Sequence, residues 1–120
     1  MKRILFVDDD PSVLQGMKRM LHSHRHLWEM EFVGTGEAAL QAFASKEFDT
    51  VVSDIRMPGM DGACLMSEIK SRFLSAARIL LSGYMEADFA LCATVSAHQF
   101  LAKFCEAKEL IGAIECVCTL

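Results

Sequence analysis

The sequence predicts an α/β domain built on a parallel sheet with helices on both faces. Apolar runs of strand length alternate about five times with segments of helical apolar period along the 120 residues. Breakers and helix-start signals fall at the changeovers, and several strands end in a charged or hydroxyl side chain.

Strand one is expected over Arg3–Val7, closed by Asp8, Asp9 and Asp10, with Pro11 opening a helix. That helix places Val13, Leu14, Met17, Met20 and Leu21 on one face. Trp28–Gly34 reads as strand two, and Thr35 as the N-cap of a helix from Gly36 to about Lys46, with Leu40 and Phe43 inward. The third strand, Thr50–Ser53, is short and expected to be buried, and it stops at Asp54. Two breaker pairs, Pro58-Gly59 and Asp61-Gly62, demand a loop from Asp54 to about Gly62. Leu65, Met66, Ile69 and Phe73 then follow at helical spacing. Arg78–Ser82 is the fourth strand, Glu86–Thr94 an Ala-rich fourth helix, Gln99–Ala102 the fifth strand, and about Glu106–Cys118 the last helix, with Leu110, Ile111, Ile114 and Val117 inward. No repeat or linker interrupts the pattern, so residues 1–120 are expected to form a single domain, acting alone or as the N-terminal module of a longer protein.

Composition narrows the function. Hydrophobic residues make up 52% of the chain and there are two prolines, the balance of a folded core rather than a disordered tail. The apolar runs are far shorter than the roughly 18 residues of a membrane span. Met1-Lys2-Arg3 is followed by too short an apolar run for an export signal, so no membrane association and a cytoplasmic location are expected. A net charge of −4 argues against direct nucleic-acid binding, which needs clustered Lys and Arg. The five cysteines, Cys64, Cys92, Cys105, Cys116 and Cys118, are an odd set without a C-x-x-C, and are expected to be buried or partly buried free thiols.

In an open parallel sheet, chemistry collects outside the carboxyl ends of the strands. There the sequence places Asp8, Asp9 and Asp10 after strand one, Asp54 after strand three, Ser82 after strand four and Lys103 after strand five. Such groups are seldom buried unless paired. Carboxylates gathered closely repel one another unless a cation neutralises them. A hard ion with oxygen ligands, Mg2+ above all, fits such a set. One Asp can then act as a nucleophile toward phosphorus, with Lys103 and the Ser82 hydroxyl on phosphoryl oxygens. Singly, the aspartates read as N-caps and turn residues; Asp10 beside Pro11 is expected to cap. Jointly, a shared site explains them better.

Four strings, Val7-Asp8-Asp9-Asp10, Asp54-Ile55-Arg56-Met57-Pro58-Gly59-Met60-Asp61-Gly62, Leu81-Ser82-Gly83 and Phe100-Leu101-Ala102-Lys103, resemble the receiver domains of two-component response regulators over essentially the whole chain. The resemblance implies a flavodoxin-like strand order 2-1-3-4-5 and a phosphorylated signalling domain rather than an enzyme in its own right. It implies Asp54 as phosphoacceptor, with Mg2+ bound by Asp9, Asp54 and the Arg56 backbone carbonyl, and by Asp8 through water. Ser82 and Lys103 would grip the phosphoryl group, and Phe100 would be the aromatic switch on a face formed by the fourth helix, the fifth strand and the last helix. The implied partners are a sensor histidine kinase or phosphotransfer protein upstream and an output domain or downstream protein, with a homodimer as one open arrangement. The family usually has Pro after the Lys, whereas this chain has Phe104. A cis bond there would cost about 2.5 to 4 kcal/mol, so trans is expected. Large residues at Arg56 and Tyr84, which flank the acceptor in the family, imply slow dephosphorylation.

Two rivals use some of the same residues. A haloacid-dehalogenase-type phosphatase also has Asp8-x-Asp10, a Ser and a Lys, but wants a further acidic motif after the Lys and leaves Asp54 unexplained. A receiver-like binding module that takes no phosphate would retain the fold only. His22, His24 and His26 alternate, which puts them on no common helix face, and read as a solvated helix end. Gly34-x-Gly36 lacks the rest of a dinucleotide fingerprint and reads as a turn.

Overall fold

The computed structural model of this chain describes residues 2–73, 75–82, 99–102 and 107–118. The expected helix Glu86–Thr94, and Tyr84, Cys92, Lys103, Phe104 and Cys105, lie outside the described residues, as do the side chains of Ser82, Phe100 and Cys118.

Five strands, β1 (Lys2–Val7), β2 (Trp28–Val33), β3 (Thr50–Asp54), β4 (Ala77–Ser82) and β5 (Gln99–Ala102), pair in the order β2-β1-β3-β4-β5. Every pairing is parallel. The helices are α1 (Pro11–Met20), α2 (Gly36–Ser45), α3 (Gly62–Arg72) and α4 (Ala107–Cys118), and a single 3-10 turn, His22–His24, follows α1.

Alternation along the strands divides the core into two layers, because successive side chains point to opposite faces. Leu5, Val7, Val51 and Leu80 face α2 and α3, where they meet Ala39, Phe43, Leu65, Met66 and Ile69. Ile4, Phe6, Val52, Ile79 and Leu81 face α1 and α4, where they meet Met17, Leu110 and Ile114. β3 is buried along all five of its residues, as a central parallel strand covered on both sides must be. Phe6 stacks on Phe32 with centroids 4.8 Å apart, joining the central strand β1 to the edge strand β2.

Local signals set the helix starts. Asp10 caps α1, its side chain accepting from the Ser12 N–H at 2.9 Å, with Pro11 in the first turn. Thr35 caps α2 through Ala38 N–H at 3.0 Å, and Asp61 caps α3 through Cys64 N–H at 2.8 Å. Each of these three helices therefore begins with an orphan donor satisfied by a side chain.

The cysteine expectation needs correction: Cys64 and Cys116 are exposed free thiols. Their neighbours give the reason. On α3 the helical phase turns Leu65, Met66 and Ile69 inward, and on α4 Ala113, Ile114 and Val117, leaving Cys64 and Cys116 on the outer faces. Charge burial also departs from expectation at Arg78, 5% exposed within β4, whose Nη1 donates to the Ala76 carbonyl at 3.1 Å. Burial lowers its pKa from the usual guanidinium value. Among the described residues, no helix is long and apolar enough to cross a membrane.

Candidate functional site

The carboxyl ends of β1 and β3 lie side by side, since Val7 pairs with Ser53. The next residues along both strands are aspartates, so parallel register alone brings them together. One carboxylate oxygen from each of Asp8, Asp9 and Asp54 falls within 4.8 Å of the other two. Asp8 and Asp54 are buried at 0% and 3% exposure, whereas Asp9 is exposed. Two carboxylates thus form the floor of the cluster and a third closes it at the solvent boundary.

Asp8 is fixed by its backbone and its neighbours. Its N–H donates to the Val33 carbonyl at 3.2 Å, which carries the β1–β2 ladder one residue beyond the strand. Its Oδ1 accepts from the Asp10 N–H at 2.9 Å. Asp10 turns away to cap α1. The three consecutive aspartates therefore do different work: two point toward Asp54 and one starts a helix.

Asp54 is the last residue of β3 and pairs with Leu81 on β4, one residue before Ser82. The following peptide holds to β4 as well, with Ile55 N–H donating to the Leu81 carbonyl at 3.0 Å. Ile55 and Met57 are buried, and Arg56 between them is exposed. Gly59 takes a positive φ of 74°, which reverses the loop at the first breaker pair. Gly62 then returns to the end of β3: its N–H donates to the Ile55 carbonyl at 2.8 Å. A Cβ on Gly62 would lie 2.7 Å from Ile55 Cα and closer still to the Asp54 carbonyl oxygen. Only glycine lets α3 begin so near the Asp54–Ile55 peptide.

Sequence reasoning passed over Ser53. Its side chain is fully buried, and its hydroxyl donates to the Asp54 carbonyl oxygen at 2.9 Å. A serine within a strand expected to be buried was the available signal, because a buried hydroxyl needs a partner. Among the described residues no histidine joins a cluster of possible metal ligands, and His24 packs against the Trp28 ring with centroids 5.1 Å apart. The acidic trio is the one cluster of possible metal ligands among the described residues.

Three carboxylate oxygens in one small volume make a hard, anionic donor set suited to Mg2+ rather than to a softer metal. Comparison with known proteins agrees with this geometry in kind. Residues 4–115 match the family described as the response regulator receiver domain. The response regulator protein FleR of Pseudomonas aeruginosa is 33% identical over 113 residues, covering 93% of this chain and 24% of FleR. The DNA-binding transcriptional regulator NtrC of Escherichia coli is 36% identical over 110 residues, 91% of this chain and 23% of NtrC. The chain thus spans about a quarter of the length of these curated relatives. Among solved structures, the response regulator TrrA from Thermotoga maritima, determined in complex with Mg2+ and BeF, superposes with a TM-score of 0.83 at 33% identity, covering 98% of this chain and 99% of that one. A signal receiver domain of an HD domain-containing protein from Pseudomonas fluorescens gives 0.88 at 30% identity, over 97% and 93% of the two chains.

Proposed function

This chain belongs to the response regulator receiver domain family of two-component systems, and on that premise we propose that it accepts a phosphoryl group on Asp54 from a sensor histidine kinase or phosphotransfer protein. The observation that carries the reading is the acidic cluster: Asp8, Asp9 and Asp54 each bring an oxygen within 4.8 Å of the others, at the end of the central strands.

The donor set fits Mg2+, and the TrrA relative was solved with Mg2+ and BeF. When bound, Mg2+ neutralises the carboxylates and the phosphoryl oxygens they approach. Asp9, Asp54 and the Arg56 backbone carbonyl would hold it, with Asp8 reaching it through water. An Asp54 carboxylate oxygen attacks phosphorus and the bond from phosphorus to the donor's nitrogen breaks, so the donor imidazole leaves. Lys103 pairs with one phosphoryl oxygen and the Ser82 hydroxyl donates to another. Burial of Asp54 keeps the nucleophile oriented and limits its exposure to water.

Output follows from the same site. Ser82 and Phe100 act as the switch, and phosphorylation changes the face to which β5 and α4 contribute. That face signals to an output domain or downstream protein in the cytoplasm. Arg56 and Tyr84 shield the aspartyl phosphate and slow its hydrolysis.

Incubation with acetyl phosphate and Mg2+ tests the reading. Intact mass should rise by one phosphoryl group, and Asp54→Asn should abolish the rise. No mass change in the unsubstituted protein refutes phosphotransfer and leaves a receiver-like binding module; a mass change that survives Asp54→Asn refutes the choice of acceptor.

A further inference from the structure

Ser53 precedes the acceptor and plays no part in the scheme above, yet its side chain is fully buried and bonded to the acceptor's own backbone. Its hydroxyl donates to the Asp54 carbonyl oxygen at 2.9 Å. We propose that Ser53 is a positioning residue for phosphoryl transfer, holding the Asp54–Ile55 peptide plane and so the aim of the Asp54 carboxylate. The proposal rests on Asp54 being the phosphoacceptor.

Three contacts converge on this peptide. Ile55 N–H is held by the Leu81 carbonyl of β4 at 3.0 Å. On the opposite edge, the Asp54 carbonyl takes the Ser53 hydroxyl and abuts Gly62, where α3 begins. Gly62 also donates to the Ile55 carbonyl at 2.8 Å. The β4 bond fixes one edge of the peptide, and the Ser53 hydroxyl fixes the other against the start of α3.

Rotation of that plane has two consequences, because the peptide links the acceptor to the loop beyond it. The Asp54 side chain leaves the Cα that the plane anchors, and the Arg56 carbonyl follows two residues on. Loss of the hydroxyl therefore loosens the nucleophile and the loop carbonyl together. Removing the hydroxyl takes away one of the bonds that set this carbonyl's direction, at a position where the close approach of Gly62 makes that direction matter.

The experiment compares the full chain with Ser53→Ala and Ser53→Cys, the cysteine nearly filling the hydroxyl's place with a weak donor. Labelling by acetyl phosphate at saturating Mg2+ is followed by mass spectrometry. Mg2+ affinity is measured by calorimetry without phosphodonor, and the folded fraction by circular dichroism. Per folded molecule, labelling should slow about tenfold in both variants, the rate equivalent of one lost hydrogen bond, and Mg2+ binding should weaken by a smaller factor. If Ser53→Ala does not fold, Ser53→Cys decides. Wild-type labelling rates per folded molecule in a folded variant, whatever its thermal stability, would reduce Ser53 to a packing residue and overturn the proposal. If the unsubstituted protein takes no label, the acceptor assignment fails first and the role of Ser53 with it; a normal wild type beside normal variants sinks Ser53 alone.

Discussion

Asp9 differs from its two partners in exposure, and the difference sets what each can contribute. Asp8 and Asp54 are held in the protein while Asp9 closes the cluster from solvent. Without a cation, Asp9 mainly adds repulsion, roughly 1 kcal/mol for charges about 4 to 5 Å apart at the dielectric of water. With Mg2+ it adds a ligand. Asp9→Asn should therefore raise the unfolding free energy in EDTA by about 1 kcal/mol or less. The same variant should lose most of the stabilisation that Mg2+ gives the unsubstituted protein, about 2.7 kcal/mol at a hundred times Kd. Thermal melts with and without Mg2+ read both effects, and equal Mg2+ shifts in the two proteins would remove Asp9 from the ligand set. Gly62 stands at the same scale with the opposite sign. A Cβ there meets the Asp54 and Ile55 backbone, so Gly62→Ala should destabilise by about 1 to 3 kcal/mol, the usual range for overpacking, and should slow acetyl phosphate labelling. Unchanged stability in a denaturant titration would contradict the close approach.

At the scale of elements, caps and strands are separable from the site. Thr35 Oγ1 accepts from Ala38 N–H at the start of α2 and is not a member of the acidic cluster. Thr35→Ala should cost about 1 kcal/mol in a urea titration and leave the labelling rate per folded molecule unchanged; a slowed rate would show that α2 bears on the acceptor. Most elements were legible because their signals are local. Asp10 with Pro11 and Thr35 announced two helix starts, and the apolar runs around Ile4–Val7 and Val51–Val52 announced β1 and β3; Asp61 read as a loop breaker and proved to be the cap of α3. Element ends were less legible. β2 stops at Val33 rather than Gly34, and β3 takes in Asp54, since pairing with Leu81 extends it past the last apolar residue. Within the site, the aspartates were readable from their places after strands. Ser53 was not, because its role is a bond to the next residue's carbonyl that residue type does not encode. The exposure of Cys64 and Cys116 turns on helical phase, which composition cannot supply.

At the scale of the molecule, the sheet separates two cores and unites their chemistry at one edge. Asp54 lies on the central strand, and Leu81 pairs with both Asp54 and Leu101, so β4 links the acceptor strand to β5 directly. A change at the acceptor that draws on the end of β4 therefore reaches β5 through one shared strand, and α4, whose Leu110 and Ile114 pack in the same layer as Ile79 and Leu81, feels it next. Phe100 pairs with Leu80 within this path. If its ring is the moving part, Phe100→Ala should separate modification from response. Labelling of Asp54 should persist near the wild-type rate. Amide hydrogen exchange, measured with Mg2+ and beryllofluoride against Mg2+ alone, should change across β5 and α4 in the unsubstituted protein and change far less in the variant. Equal exchange responses would place the switch elsewhere than Phe100, while lost labelling would make Phe100 part of the acceptor's support. The two outcomes differ because the aspartates need only β1 and β3 to meet, whereas the response has to cross β4.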